Sequence, residues 1–179
     1  MKAMVLHAPD TPFELEKLPD PVAGQGEIVA KVLACGSGLT IHHVVRGRTD
    51  ATFPRVIGHE ILGEVVEIGA GVAGFSVGDH VTTHAYVTCG YCKWCKADRE
   101  PLCDNLAGFV GRGIDGGYAE YIKLPARTFI NVPEALDHTQ HPAEIAVICD
   151  AIVTPYKVLT RGRNGALDSG AVIGAGGCV

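Results

Sequence analysis

Short apolar runs separated by Gly, Pro and Asp dominate the chain from Lys2 to about Arg127. Examples are residues 28–33 (IVAKVL), 61–68 (ILGEVVEI) and 118–124 (YAEYIKL). Their β-branched content and the closely spaced turn signals predict strands of an irregular, mainly β barrel. Gly78-Asp79 lies between Val77 and Val81, where a turn between two strands fits. The pattern changes after Pro133. In residues 141–161, Ile145, Ile148, Ile152, Val153, Val158 and Leu159 fall near helical spacing. Pro142 suits a first helical turn, and Pro155 is expected to kink or break the helix. A polar turn over 161–170 leads to a short apolar strand at 171–173 and then to Gly174-Ala175-Gly176-Gly177. There are no internal repeats and no low-complexity tract.

At 179 residues the chain has room for one sizeable core, or one domain plus part of another. The formal net charge is -5 and the Lys and Arg residues are scattered. No basic stripe points to nucleic acid or to an anionic membrane. The opening MKAMVLHAPD lacks the apolar run of a signal peptide, and no apolar stretch is long enough to cross a bilayer. A soluble, cytoplasmic protein is expected. Of the seven cysteines, four crowd into residues 89–103. Without a secretion signal, that crowding favours a metal over disulfides.

Cys89, Cys92, Cys95 and Cys103 form the pattern C-x2-C-x2-C-x7-C. Two-residue spacers let the chain double back, so neighbouring thiolates converge on one ion. Zinc takes four such ligands at the corners of a tetrahedron. Four thiolates close the shell and leave no position for substrate, so the expected site is structural. Lys93, Lys96 and Arg99 would offset its negative charge. Iron–sulfur clusters also use four cysteines, but at other spacings.

Several ordered features carry a family resemblance. They are the opening MKAMVL, residues 26–36 (GEIVAKVLACG), Gly58-His59-Glu60, Val77-Gly78-Asp79, the four-cysteine lobe, residues 116–120 (GGYAE) and the late Gly174-x-Gly-Gly. Together they resemble the zinc-containing alcohol dehydrogenases of the medium-chain dehydrogenase/reductase superfamily. The resemblance implies a GroES-like catalytic domain over 1–150, with a structural-zinc lobe at about 86–106. Over 151–179 it implies a linking helix, then the first strand and glycine-rich turn of a truncated α/β Rossmann domain. Gly174, Gly176 and Gly177 would cradle the pyrophosphate of NAD or NADP. The implied reaction moves a hydride between a small alcohol or carbonyl substrate and the nicotinamide. The chain would then be an inactive fragment of a homo-oligomeric parent enzyme.

The implied catalytic residues are Thr40 and His43 as a proton relay, with His59 and Glu60. His59, Asp150 and Glu60 are the implied ligands of a catalytic zinc. The motif that should open this site reads Gly36-Ser37-Gly38-Leu39-Thr40-Ile41-His42-His43. Gly38 stands where the family carries a ligand Cys, and Ile41 where it carries an Asp that orients a metal-bound imidazole. Cys35 is nearby, but its direction on an alternating strand favours a buried thiol. Residues 150–158 (DAIVTPYKV) are similar to a stretch in dehydrogenases of hydroxycyclohexenyl acyl-CoA thioesters. Two alternatives stand beside the alcohol dehydrogenase reading. One is a zinc-free reductase of the same superfamily, acting on enones or quinones. The other is a non-catalytic, zinc-stabilised binding module.

Overall fold

The computed structural model describes residues 1–161. The chain opens with β1 (Lys2–Leu6), β2 (Glu14–Lys17) and the long β3 (Glu27–Cys35), followed by helix α1 (Leu39–Val45). Next come β4 (Arg55–Val56), β5 (Ile61–Ile68), β6 (His80–Thr83) and β7 (Tyr86–Val87). After an irregular lobe come β8 (Gly108–Phe109), β9 (Tyr121–Pro125) and β10 (Phe129–Asn131). Helix α2 (Pro142–Val147), a π-helical turn (Ile148–Ile152) and helix α3 (Val153–Arg161) complete the described chain.

The main sheet is antiparallel, in the order β10-β6-β5-β3-β9. Alternation along these strands builds its core. Ile28 and Ala30 of β3 face Leu124 and Ile122 of β9 across the ladder. They pack with Ile61, Val65, Val81 and Phe129 as fully or almost fully buried residues. Each of the larger side chains among them contributes roughly 1.5–3 kcal/mol on burial. A smaller sheet, β2-β1-β4, flanks this one, and β7 pairs with β8. Helix α1 seals a second core made of Leu6, Ile41, Val44 and Ile57. Helix α2 lays Ile145 and Ala146 on Leu62 of β5.

The mainly β reading agrees with this architecture. The run at 61–68 coincides with β5, and the run at 28–33 lies inside β3. The run at 118–124 is strand only from Tyr121, because Tyr118 gives its backbone to Ile57 and Met4 instead. The helix expected over 141–161 breaks earlier than Pro155, at the π-helical turn. Pro155 is the third residue of α3, where a missing N–H is tolerated. The helical run therefore passes through position 150. The strand expected at 171–173 and the glycines that follow it lie outside the described residues.

Candidate functional site

The irregular lobe between β7 and β8 brings the four cysteines together. Cys92 starts a turn in which its carbonyl accepts the Lys96 N–H at 3.0 Å. Two short 3-10 turns, Cys95–Ala97 and Glu100–Leu102, then return the chain to Cys103. The Sγ separations are 3.5 Å for Cys92–Cys95 and Cys89–Cys103, 3.9 Å for Cys89–Cys95 and 4.0 Å for Cys92–Cys103. All four sulfurs lie within 4.8 Å of one another. A zinc tetrahedron with Zn–S near 2.3 Å has edges of about 3.8 Å, whereas a disulfide needs about 2.0 Å. The spacing therefore fits four thiolates around one ion and excludes bonded pairs.

The surrounding groups favour thiolate at two of the four positions. Burial raises the Cys89 thiol, but the Tyr91 and Cys92 backbone N–H groups and the Cys103 and Cys92 thiols outweigh it and bring it down to about 6. The Cys95 backbone N–H heads the groups that lower Cys92. Cys95, the most enclosed, is pushed up to about 11, mainly by burial. A divalent cation among them would ionise all four, since the thiolate is the ligand. The Cys89 N–H also points at Cys103 Sγ, at 3.4 Å.

The lobe is fastened to the sheet domain by Arg127. Its Nη2 donates to Glu100 Oε1 at 2.7 Å, and its guanidinium lies across Gly90. A Cβ at Gly90 would overlap that guanidinium, and Gly90 also has φ +81°, so glycine is needed there twice over.

A second constellation lies at the start of β5. A cleft of about 210 Å³ is lined by Gly38 and Thr40 at the start of α1, by His59 and Glu60, and by Asp150 and Ala151 of the π-helical turn. His59 is buried, and its Nε2 lies 3.0 Å from Asp150 Oδ2. Asp150 Oδ1 accepts from the Thr154 hydroxyl, one helical turn on. The hydrogen bond to His59 is the largest influence holding the Asp150 carboxyl below its usual range; burial opposes it, and Thr154 adds to it. The His59 ring packs edge-on against Phe109, with centroids 5.1 Å apart.

Glu60 is buried beside His59, and its Oε1 accepts the Ala151 backbone N–H at 3.1 Å. Burial raises its carboxyl above the ordinary value, partly countered by that N–H and by His59. Its second oxygen faces the loop that carries Gly36 and Gly38. Among the described residues, His59, Asp150 and Glu60 do not converge as a three-ligand group. Only two donors meet there. Gly38 adds no side chain, and Ile41 points into the core with Leu6 and Ile57, away from the cleft. These residues do not complete the three-ligand shell that a catalytic zinc takes.

Thr40 lines the cleft, whereas His43 lies one turn further along α1 and does not. The His43 Nδ1 is buried without a hydrogen-bond partner among the described residues. Cys35 turns into the protein, and burial pushes its thiol up to about 12. Burial also raises Cys149, whose Sγ faces the carbonyls of Ala146 and His59 at 3.4 and 3.7 Å. A larger cleft of about 500 Å³ opens on the far side of Asp150 and brings in His84, Thr88, Thr154 and Lys157. The sequence pattern gave no sign of these four residues, because they meet only through folding. Gly174, Gly176 and Gly177 lie outside the described residues.

A mainly β domain that carries a four-cysteine lobe and a part-buried His–Asp pair fits a class of metal-stabilised β domains. The sequence places the chain within it: residues 24–134 match the alcohol dehydrogenase GroES-like domain family, and the chain belongs to that family. An alcohol dehydrogenase from Geobacillus stearothermophilus is 39% identical over 163 residues, covering 89% of this chain and 46% of that protein. An L-threonine 3-dehydrogenase from Shewanella woodyi is 36% identical over 138 residues, covering 75% of this chain and 40% of that protein. A cobalt- and zinc-bound thermostable alcohol dehydrogenase from Pyrobaculum aerophilum has a similar structure, with TM-score 0.80 and 29% identity, over 90% of this chain and 47% of that one. The chain thus spans less than half the length of these proteins.

Proposed function

We propose that this chain supplies the catalytic domain of a zinc-containing, nicotinamide-dependent oxidoreductase that acts on a small alcohol or carbonyl compound. The observation that carries the reading is the His59–Asp150 pair, open to a cleft beside Gly38 and Thr40. The zinc held by Cys89, Cys92, Cys95 and Cys103 is structural in this reading, since four protein ligands leave it no open position. The segment from 151 onward would begin a Rossmann domain, with NAD or NADP bound through Gly174, Gly176 and Gly177. The nicotinamide, when bound, takes up or gives the hydride.

The chain's own residues then handle the proton and the orientation. The Thr40 hydroxyl reaches the cleft and can accept or donate a hydrogen bond to a substrate oxygen. His43 sits three residues on along α1 and would serve as the second member of the relay. The His59–Asp150 pair fixes a polar edge against which the substrate oxygen can be oriented. Gly38 specifically favours a second reading: a reductase of the same superfamily that needs no catalytic zinc and acts on enones or quinones. We also place the protein in the cytoplasm and expect a homo-oligomer. Among the described residues, no helix is long and apolar enough to cross a membrane.

The test is an absorbance assay of reduced nicotinamide with the full-length protein. Alcohols oxidised with NAD or NADP support the first reading. Enones or quinones reduced, with alcohols inert, support the second. No nicotinamide-linked turnover of any of these would leave a zinc-stabilised binding module.

A further inference from the structure

Glu60 is among the few buried charged residues, yet its carboxylate does not join the His59–Asp150 pair. It reaches instead across to the π-helical turn. Asp150 and Ala151 sit at the centre of that turn, where the hydrogen-bond ladder is wider than in an α-helix. Val153 closes the turn by donating to the Ile148 carbonyl, five residues back. Pro155 has no N–H for the Ala151 carbonyl and so favours a disturbed helix here, but it does not by itself fix where Asp150 falls. The Ala151 N–H, however, points out of the turn and donates to Glu60 Oε1 at 3.1 Å. Glu60 is fixed in its turn. It directly precedes β5, and its carbonyl accepts the Gly36 N–H at 2.7 Å. A side chain at Gly36 would overlap the Glu60 carboxylate, so the loop leaves that carboxylate its room.

The geometry points to Glu60 as a positioning residue: by gripping the Ala151 N–H it holds the π-helical turn so that Asp150 meets His59. The role rests on the proposed site, but the contact itself is independent of turnover. It also differs from a ligand or a proton acceptor in one respect that can be measured. A backbone N–H needs only an oxygen acceptor, which a glutamine carbonyl supplies as well as a carboxylate. A metal ligand or a general base needs the charge.

The experiment is residue-resolved amide hydrogen exchange on the 179-residue chain, with Glu60→Gln, Glu60→Met and Glu60→Ala. The His59 ring nitrogens are followed by ¹⁵N NMR in the same samples. Glu60→Met retains length without an acceptor and serves if Glu60→Ala fails to fold. Glu60→Gln should keep Ala151 exchange within about twofold of wild type, with the His59 signals unchanged. Glu60→Met should raise exchange at Ala151 and Asp150 by about tenfold, the loss expected for one hydrogen bond, and should shift the Nε2 signal of His59. Amides of β5 should keep their protection in both variants. Glu60→Gln behaving like Glu60→Met would overturn the proposal, and so would a Met variant in which Ala151 stays protected. Neither result depends on whether the protein oxidises an alcohol.

Discussion

His59 and Asp150 stand 91 positions apart in the chain, yet His59 Nε2 and Asp150 Oδ2 are 3.0 Å apart in the fold. The contact joins the entrance of β5 to the middle of a π-helical turn. It is also the point at which two clefts meet, one opening past Gly38 and the other past Lys157. The site is therefore made by packing α2 against β5 through Leu62, Ile145 and Ala146. That small apolar contact brings the end of α2 against β5, within reach of His59.

Gly38 is the position at which a thiolate would complete a metal shell. Its backbone is extended, with φ -85° and ψ -173°, which any residue can adopt. A Cβ there would meet Glu60 Oε2 at 3.5 Å, an ordinary contact. Gly38→Cys should therefore fold and give the His59–Asp150 site a third, soft ligand. With Co²⁺ as the probe, the variant should bind two ions per chain where the parent binds one, with added sulfur-to-cobalt absorbance. A stoichiometry that stays at one would show that His59 and Asp150 cannot share an ion with position 38.

The sequence carried the metal lobe in full, because four cysteines at short spacing can converge with little help from the rest of the fold. Strands β3 and β5 were legible for a similar reason: their alternation is local. Ile41 was not. Set against the family motif it stands at the place of a metal-orienting Asp, but α1 turns it into the core with Leu6, Val44 and Ile57. An aspartate there would bury a charge at a cost of about 3 kcal/mol or more. The π-helical turn was only half legible: Pro155 signalled a disturbed helix, but Ile145, Ile148 and Ile152 suit an unbroken one, so its place at 148–152 did not show. The Glu60–Ala151 contact is a long-range hydrogen bond to backbone, which residue type alone does not announce.

Gly90 links the lobe to the sheet domain through Arg127. Gly90→Ala must accept φ +81° and push the guanidinium away from Glu100. Left-handed backbone at a non-glycine residue costs about 1–3 kcal/mol. The variant should melt several degrees lower than wild type and release zinc faster to a chelator. Calorimetry together with a chromogenic zinc-release assay checks both. Unchanged melting would mean that the Arg127 fastening contributes nothing.

His80 of β6 stacks on His138, with ring centroids 3.5 Å apart. Burial, and then the His138 neighbour, hold its pKa below the ordinary 6.5, while Glu64 and Asp79 oppose the shift. A histidine lowered in the folded state binds its proton more readily when unfolded. Its contribution to stability is therefore complete above 6.5 and is lost as pH falls through the folded pKa. The melting temperature should drop as pH is lowered from about 7 to about 5, and His80→Gln should flatten that slope. A variant with the wild-type slope would assign the pH response to other groups.

The zinc content of the purified chain bears most directly on the central claim, that four cysteines hold one ion and give this dehydrogenase domain its lobe. Elemental analysis should return one zinc per wild-type chain, and cobalt substitution should give the spectrum of four sulfur ligands. Cys92→Ser should lose that zinc and destabilise the lobe, because the metal stabilises the folded loop directly. A wild-type chain that binds no metal under reducing conditions, or a Cys92→Ser chain that keeps its full zinc, would contradict the account.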